Sequence, residues 1–191
     1  FTRGGGLRKV GRVAKAKTGT RVQYWPDRQI FLADAEVSLP QLHDRARQTA
    51  FLVPGLEIIV DDARSGEPER EHFLFVGGIT EFVEYLAPDA PMTDVLRLQG
   101  KETFTETVPM LDEDGAMTPT DVDRELEVDV ALRWGTGYDT AMKSFVNIIA
   151  TPKGGTHVAG FERAMTKTLN EALRGARLLK SGEADVVKDD V

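Results

Sequence analysis

The sequence predicts an α+β fold. Strict alternation of apolar and polar residues over Glu125–Trp134 has the period of a strand with one face on a core and one in water. Apolar residues at helical spacing follow Ser38 and Thr156 and mark two helices. Of the 191 residues 41% are hydrophobic and 7% aromatic, which suits a packed core.

Taken in order, Val10 and Val13 suggest a short strand. Thr20-Arg21-Val22-Gln23-Tyr24-Trp25 is a β-rich run closed by the turn pair Pro26-Asp27. Two strands with no partners before them point to a sheet whose other members lie outside these residues. Phe1-Thr2-Arg3 reads as the middle of a chain, so the sequence is expected to be a piece of something larger. Ser38 with Gln41 fits a capping box, and Leu39, Leu42, Ala46 and Ala50 give the helix its stripe before Pro54-Gly55 stops it. A strand over Leu56–Asp61, a loop at Ser65-Gly66-Glu67-Pro68 and a returning strand over His72–Val76 form a hairpin.

After Gly77-Gly78 a short helix is expected to bury Ile79, Phe82, Val83 and Leu86, with Pro88 ending it and Asp89–Met92 as a polar connection. Two separate strands are expected at Leu96–Gln99 and Thr103–Val108, and a loop over Asp112–Thr120. In the alternating strand Leu126, Val128, Val130, Leu132 and Trp134 point one way, with Glu125, Glu127, Asp129, Ala131 and Arg133 opposite. Ser144–Ala150 reads as one further strand. Pro152–Gly155 is a loop, and a long helix follows with Val158, Phe161, Met165, Leu169, Ala172 and Ala176 on its buried stripe. After Lys180 the chain turns polar with no closing element.

Charge is unevenly spread. Arg3, Arg8, Lys9, Arg12, Lys15, Lys17 and Arg21 precede the first acid, Asp27, and leave 17 basic against 31 acidic residues in the remainder. A basic arm of this kind suits phosphate or nucleic acid, but no aromatic platform or groove-reading helix accompanies it. Absence of cysteine excludes disulfides and Cys-ligated zinc. No apolar run approaches the roughly 20 residues of a membrane span. The basic, Gly-rich opening lacks a signal-peptide pattern, and a cytoplasmic location fits.

No self-contained catalytic constellation is visible. Lys153-Gly154-Gly155-Thr156 opens the long helix but lacks a P-loop's length and terminal Lys-Ser/Thr, and reads as a glycine turn with Thr156 as N-cap. The acids Asp121, Asp123, Glu125, Glu127 and Asp129, spaced by two, read as a solvated strand face, with no calcium loop among them. His43, His72 and His157 fall in separate elements.

One succession of segments carries more. Gly19-Thr20-Arg21-Val22 leads to Tyr24-Trp25-Pro26-Asp27, then to Arg45–Leu52 with Gly55-Leu56. Gly77-Gly78-Ile79 with Phe82-Val83 comes next, then Ala131-Leu132-Arg133-Trp134 with Gly137-Tyr138. Ser144-Phe145-Val146-Asn147 and Gly154-Gly155-Thr156-His157 with Gly160-Phe161 close the series. This order resembles the B subunits of bacterial type IIA DNA topoisomerases, the gyrase B and topoisomerase IV B family, from about Gly19 to Leu169.

The resemblance implies that residues 1–76 are the last strands and helix of a GHKL-type ATPase domain. Residues 77–191 would then be most of a transducer domain with a ribosomal-protein-like left-handed βαβ fold. It implies ATP and Mg²⁺ as cofactors of the parent enzyme. The implied partners are DNA, a topoisomerase A subunit and a second B subunit gained on ATP binding. The segment itself would couple ATP binding and hydrolysis to movement of a DNA gate. Thr20 matches a threonine that helps hold adenine, and Val22 a residue lining the same pocket. The family's general-base Glu, Mg²⁺-binding Asn, Gly-rich lid and Gln-Thr-Lys loop have no match here, so the segment alone is expected to be inactive. Two rivals are another GHKL ATPase, of mismatch-repair or chaperone type, and a non-enzymatic nucleic-acid-binding module using the basic arm.

Overall fold

Helix α1, Leu39–Leu52, starts at the cap its sequence marks: the Ser38 hydroxyl accepts from the Gln41 amide at 3.5 Å. Pro40 sits in the first turn, where a missing N–H breaks no helical bond. The structure is a computed structural model that describes residues 9–12, 14, 18–23, 27, 29–32, 35–64, 67, 69–87, 89–111 and 115–190. Residues 1–37 and 38–191 form two units.

In the first unit Asp27 organises a turn. Its carbonyl accepts from the amides of Ile30 and Phe31 at 3.0 and 2.9 Å, and its carboxylate from Gln29 at 2.9 Å. The strands expected here are a correction: residues 9–12 and 18–23 are irregular, and no ladder joins them to another described segment. A strand exists only by pairing, and β-rich composition does not supply the partner. Val13, Tyr24, Trp25 and Pro26 lie outside the described residues.

The second unit is α+β, built from three antiparallel hairpins, three α-helices and a short 3₁₀ helix, Lys188–Asp190, among its described residues. Strands β1, Ile58–Asp62, and β2, Glu69–Phe73, pair with Ile58 opposite Phe73. The return strand ends earlier than expected because Phe75 leaves the ladder and accepts from the Gly55 amide at 3.0 Å. Ser65, Gly66 and Pro68 of the loop lie outside the described residues. Helix α1 covers this hairpin, and Ala46, Ala50 and Phe73 form a core flanked by Ile58, Val60 and Phe75. Helix α2, Ile79–Leu86, follows Gly78, whose φ of 64° and 2.7 Å approach to Pro54 Cγ leave no room for a Cβ. Phe82 is buried as expected, and Pro88 lies outside the described residues.

Strands β3, Leu96–Leu111, and β4, Met117–Leu132, make one unbroken ribbon of 16 pairs. This corrects both the expected break after Gln99 and the loop through Thr120. Gly100 simply pairs with Val128, and the tip is confined to the turn at Gly115, φ 80° (Asp112–Asp114 lie outside the described residues). Pro109 faces Pro119, which places this pair where neither N–H is needed by the partner strand. The strand expected at β4 is present, but the expected one-sided burial is a correction: 125–129 are exposed on both faces, and 130–132 are partly covered on both, where α2 lies against the strand. Leu126 and Val128 stay 50% and 46% exposed.

The anchored end of the ribbon is held by Arg133. Its guanidinium donates to the carbonyls of Ala87 and Asp89 at 2.6 and 2.8 Å, capping the exit of α2. The Asp89 carboxylate accepts from the Gly137 amide at 2.9 Å and lies 3.8 Å from the same guanidinium. Met92 donates to the Trp134 carbonyl at 2.8 Å, and the Trp134 amide to the Thr93 hydroxyl at 3.1 Å.

The single strand expected over Ser144–Ala150 is instead a tight hairpin of β5, Phe145–Val146, and β6, Ile149–Ala150. Asn147 makes the turn with φ 56°, a conformation its short side chain tolerates. Helix α3, Thr156–Gly175, is capped by Gly155 and not by Thr156, which is already its first helical residue. Of the expected stripe Val158, Phe161, Met165 and Leu169 are half-buried, but Ala172 and Ala176 are exposed, and Leu173 takes the covered position in the last turns. Nor is the polar segment after Lys180 loose. Asn170, buried in α3, donates to the Val186 carbonyl and accepts from its amide, both at 2.8 Å. Arg174 holds Asp185 and the Glu183 carbonyl.

The Arg133 anchor is testable at Gly135. A Cβ there would sit 1.8 Å from the Asp89 carboxylate. Gly135→Ala is expected to lower unfolding free energy by about 1–3 kcal/mol in urea titration. An unchanged midpoint would show that Asp89 is free to move aside.

Candidate functional site

Three groupings are candidates for function. The first is the pair expected at an adenine pocket. Thr20 and Val22 are both exposed, with 80% of Val22 open to solvent.

The second grouping is the entry to α3. Thr151 donates its amide to the Ser144 carbonyl at 2.8 Å, and the Ser144 hydroxyl lies 2.7 Å from the Thr151 hydroxyl. That hydroxyl lies 3.1 Å from His157 Nε2. The loop 151–155 is thereby tied on one side to the start of β5 and on the other to the first turn of α3. Gly154 has φ 71°, and a Cβ on Gly155 would meet the His157 ring at 2.9 Å. The glycines of Gly154-Gly155-Thr156-His157 therefore serve the turn and the imidazole. The Ser-Thr-His chain lacks an orienting carboxylate and is a structural tie, not a nucleophile and its base.

The third is the junction of α1, β2 and α2. Phe51 stacks on Phe75 at 3.6 Å between centroids and on Phe82 at 4.7 Å, with interplanar angles of 16° and 12°. Phe145 lies 6.1 Å beyond Phe82. Arg47 donates to the Tyr85 hydroxyl at 3.1 Å and to Asp44 at 3.0 Å, with its guanidinium over the rings of Phe73 and Tyr85. No sequence signal marks this cluster, because Arg47 and Tyr85 alone lie 38 positions apart.

The carboxylate row on the ribbon is occupied by neighbours on the facing strand. Thr107 and Thr105 donate to Asp121 and Asp123 at 2.6 and 2.9 Å. Lys101 lies 3.0 Å from Glu127 and 3.7 Å from Glu125, and Arg97 grips Asp129 through two bonds of 3.0 and 2.8 Å. Among the described residues no three His, Cys, Asp or Glu side chains gather to hold a metal ion. His43 and His72 remain apart, with His43 beside the Phe73 ring and His72 beside Glu57. No described helix is long and apolar enough to cross a membrane.

Three carboxyls titrate low. The Arg64 side chain, with its amide, holds Asp62 at about 2. The Gly137 amide lowers Asp89, helped by Arg133. Arg97 lowers Asp129.

Comparison with known proteins agrees on one family. The family described as DNA gyrase B matches residues 78–191. The B subunit of DNA topoisomerase 4 from Staphylococcus aureus strain MW2 is 33% identical over 186 residues, covering 97% of this chain and 25% of the relative. Its counterpart from strain N315 gives the same figures. The chain thus spans about a quarter of the length of these curated relatives. Among solved structures, the 43K ATPase domain of Thermus thermophilus gyrase B, in complex with an aminocoumarin, superposes with a TM-score of 0.60. Sequence identity there is 23%, over 86% of this chain and 39% of that one.

The polar ties can be tested in two ways. Thr151→Val severs the link between Ser144 and His157 while keeping the shape, and is expected to cost about 1–2 kcal/mol in urea unfolding. The depressed carboxyls stabilise the fold fully above their ordinary value of 3.8, and that contribution drains as pH falls towards the 2 of Asp62. The melting temperature is therefore expected to fall across this interval, and less steeply in Asp89→Ala. Identical acid profiles would refute the role of Asp89.

Proposed function

Because this chain belongs to the DNA gyrase B family, we propose that it is part of the ATP-dependent B subunit of a type IIA topoisomerase. Such a protein takes part in changing DNA topology by passing one duplex through another. The observation that carries this reading is the 33% identity to the topoisomerase IV B subunit over 97% of the chain.

Within that reading, residues 1–76 close a GHKL-type ATPase domain. Residues 77–191 form most of a transducer with a left-handed βαβ plan. Thr20 and Val22 contribute one wall of the adenine pocket, Thr20 through its hydroxyl and Val22 through its methyls. That is a wall and not a site, so no catalytic step is assigned to this chain. ATP and Mg²⁺ serve the whole parent protein, with Mg²⁺ ligands contributed from outside these residues. The partners are DNA, an A subunit and, when ATP is bound, a second B subunit, in the cytoplasm. The segment's own task is transmission: the shared aromatic core of α1, β2 and α2 carries a displacement on one side of Gly77-Gly78 to the other.

The 191-residue chain is expected to show no Mg²⁺-dependent ATP turnover above background. The complete parent protein with its A partner is expected to change DNA linking number when ATP is supplied. In that assembly Thr20→Ala is expected to weaken ATP binding. Robust turnover by the chain alone would overturn this division of labour. An assembly that leaves linking number unchanged would overturn the assignment.

A further inference from the structure

The contact between α1 and α2 has two physically different parts. The stack of Phe51 on Phe75 and Phe82 fixes how far apart the elements lie. Parallel rings resist separation but slide over one another at little cost, since dispersion has no direction. Arg47 supplies the directional part. Its Nη1 meets the Tyr85 hydroxyl at 3.1 Å and Asp44 at 3.0 Å, while the guanidinium carbon lies 5.3 Å from the centre of the Tyr85 ring and 5.4 Å from that of Phe73. Asp44 and Arg47 stand one turn apart on α1, so the guanidinium is oriented before it reaches Tyr85. A hydrogen bond demands near-linear geometry, and this one sets where α2 sits along α1.

The backbone fixes where α2 begins: Gly77-Gly78 joins β2 to α2, and Gly78, with a positive φ that other residues rarely take, packs against Pro54 at the end of α1. Two turns further along α2, the Arg47–Tyr85 contact is a second, side-chain point of attachment to α1. Both Arg47 and Tyr85 are partly open to solvent, so their bond adds little to folding stability.

We propose that Arg47 and Tyr85 are a positioning pair. They fix the register of α2 on α1 and so pass the nucleotide-dependent arrangement of residues 1–76 to residues 77–191. The inference rests on the functional reading above and deepens it by naming the contact.

The test uses the complete parent protein assembled with its A partner and measures linking-number change per ATP hydrolysed. Tyr85→Phe keeps the ring and removes only the hydroxyl. It is expected to lower that yield about fivefold or more, in the range of typical coupling effects, with ATP turnover and melting temperature unchanged. Arg47→Met, which keeps the stem over the rings, is expected to act alike. Arg47→Lys is expected not to restore the yield, because an ammonium cannot lie flat between two rings while holding Asp44 and Tyr85. A normal yield in Tyr85→Phe overturns the proposal. So does a lost yield that tracks a lowered melting temperature, which would make the pair merely structural. A wild-type assembly with no ATP-dependent change in linking number overturns the functional reading itself, and is told apart because the unmodified protein fails.

Discussion

Arg133 is the point through which the ribbon and the helical part of the chain are held together. Its side chain leaves the end of β4, crosses to the exit of α2 and takes two carbonyls there. The Ala87 carbonyl is at the C-cap of α2, where orphan acceptors and a negative dipole favour a cation, and that of Asp89 lies just beyond it. Asp89 returns the contact by accepting from the chain just beyond β4. Together with the bonds of Met92 and Thr93 to Trp134, these contacts set the direction of the 16-pair ribbon relative to α2. Gly135 lies so close to the Asp89 carboxylate that a Cβ there would sit 1.8 Å from it.

Local chemistry was legible in the sequence wherever an element carries its own signal. The Ser38 cap, the short helix after Gly78 and the long helix after Gly155 are written in residues a few positions apart. The β3–β4 ribbon was legible only in half, because β4 alternates cleanly while β3 mixes Gly100, Lys101 and Glu102 into its middle. Pairing with β4 makes β3 continuous, and pairing partners are not encoded locally. The same limit explains the opening segment, where the described β-rich residues 18–23 join no ladder. The turn at Asn147 was hidden inside an apolar run that resembles a buried strand.

The candidate site was legible unevenly. Thr20 and Val22 were singled out by family resemblance, since a hydroxyl and a branched side chain in a β-rich run ordinarily mean nothing more. The glycines before α3 were visible as a turn, but their service to His157 needed coordinates. The aromatic junction had no local mark at all. Phe51, Phe75, Phe82 and Phe145 look like ordinary core residues in sequence, and Arg47 like a solvated helix face. Their meaning arises from being brought together.

The ribbon has a mechanical consequence. Sixteen residues of strand extend on the order of 50 Å, and the ribbon is gripped at its Leu96–Leu132 end by the contacts of Arg133, Asp89 and Trp134. Such a beam works as a pointer: a tilt of roughly 10° at the grip sweeps a tip that far away through about 9 Å. A tilt of that size at Asp89 would thus arrive at Gly115 as a displacement of molecular size.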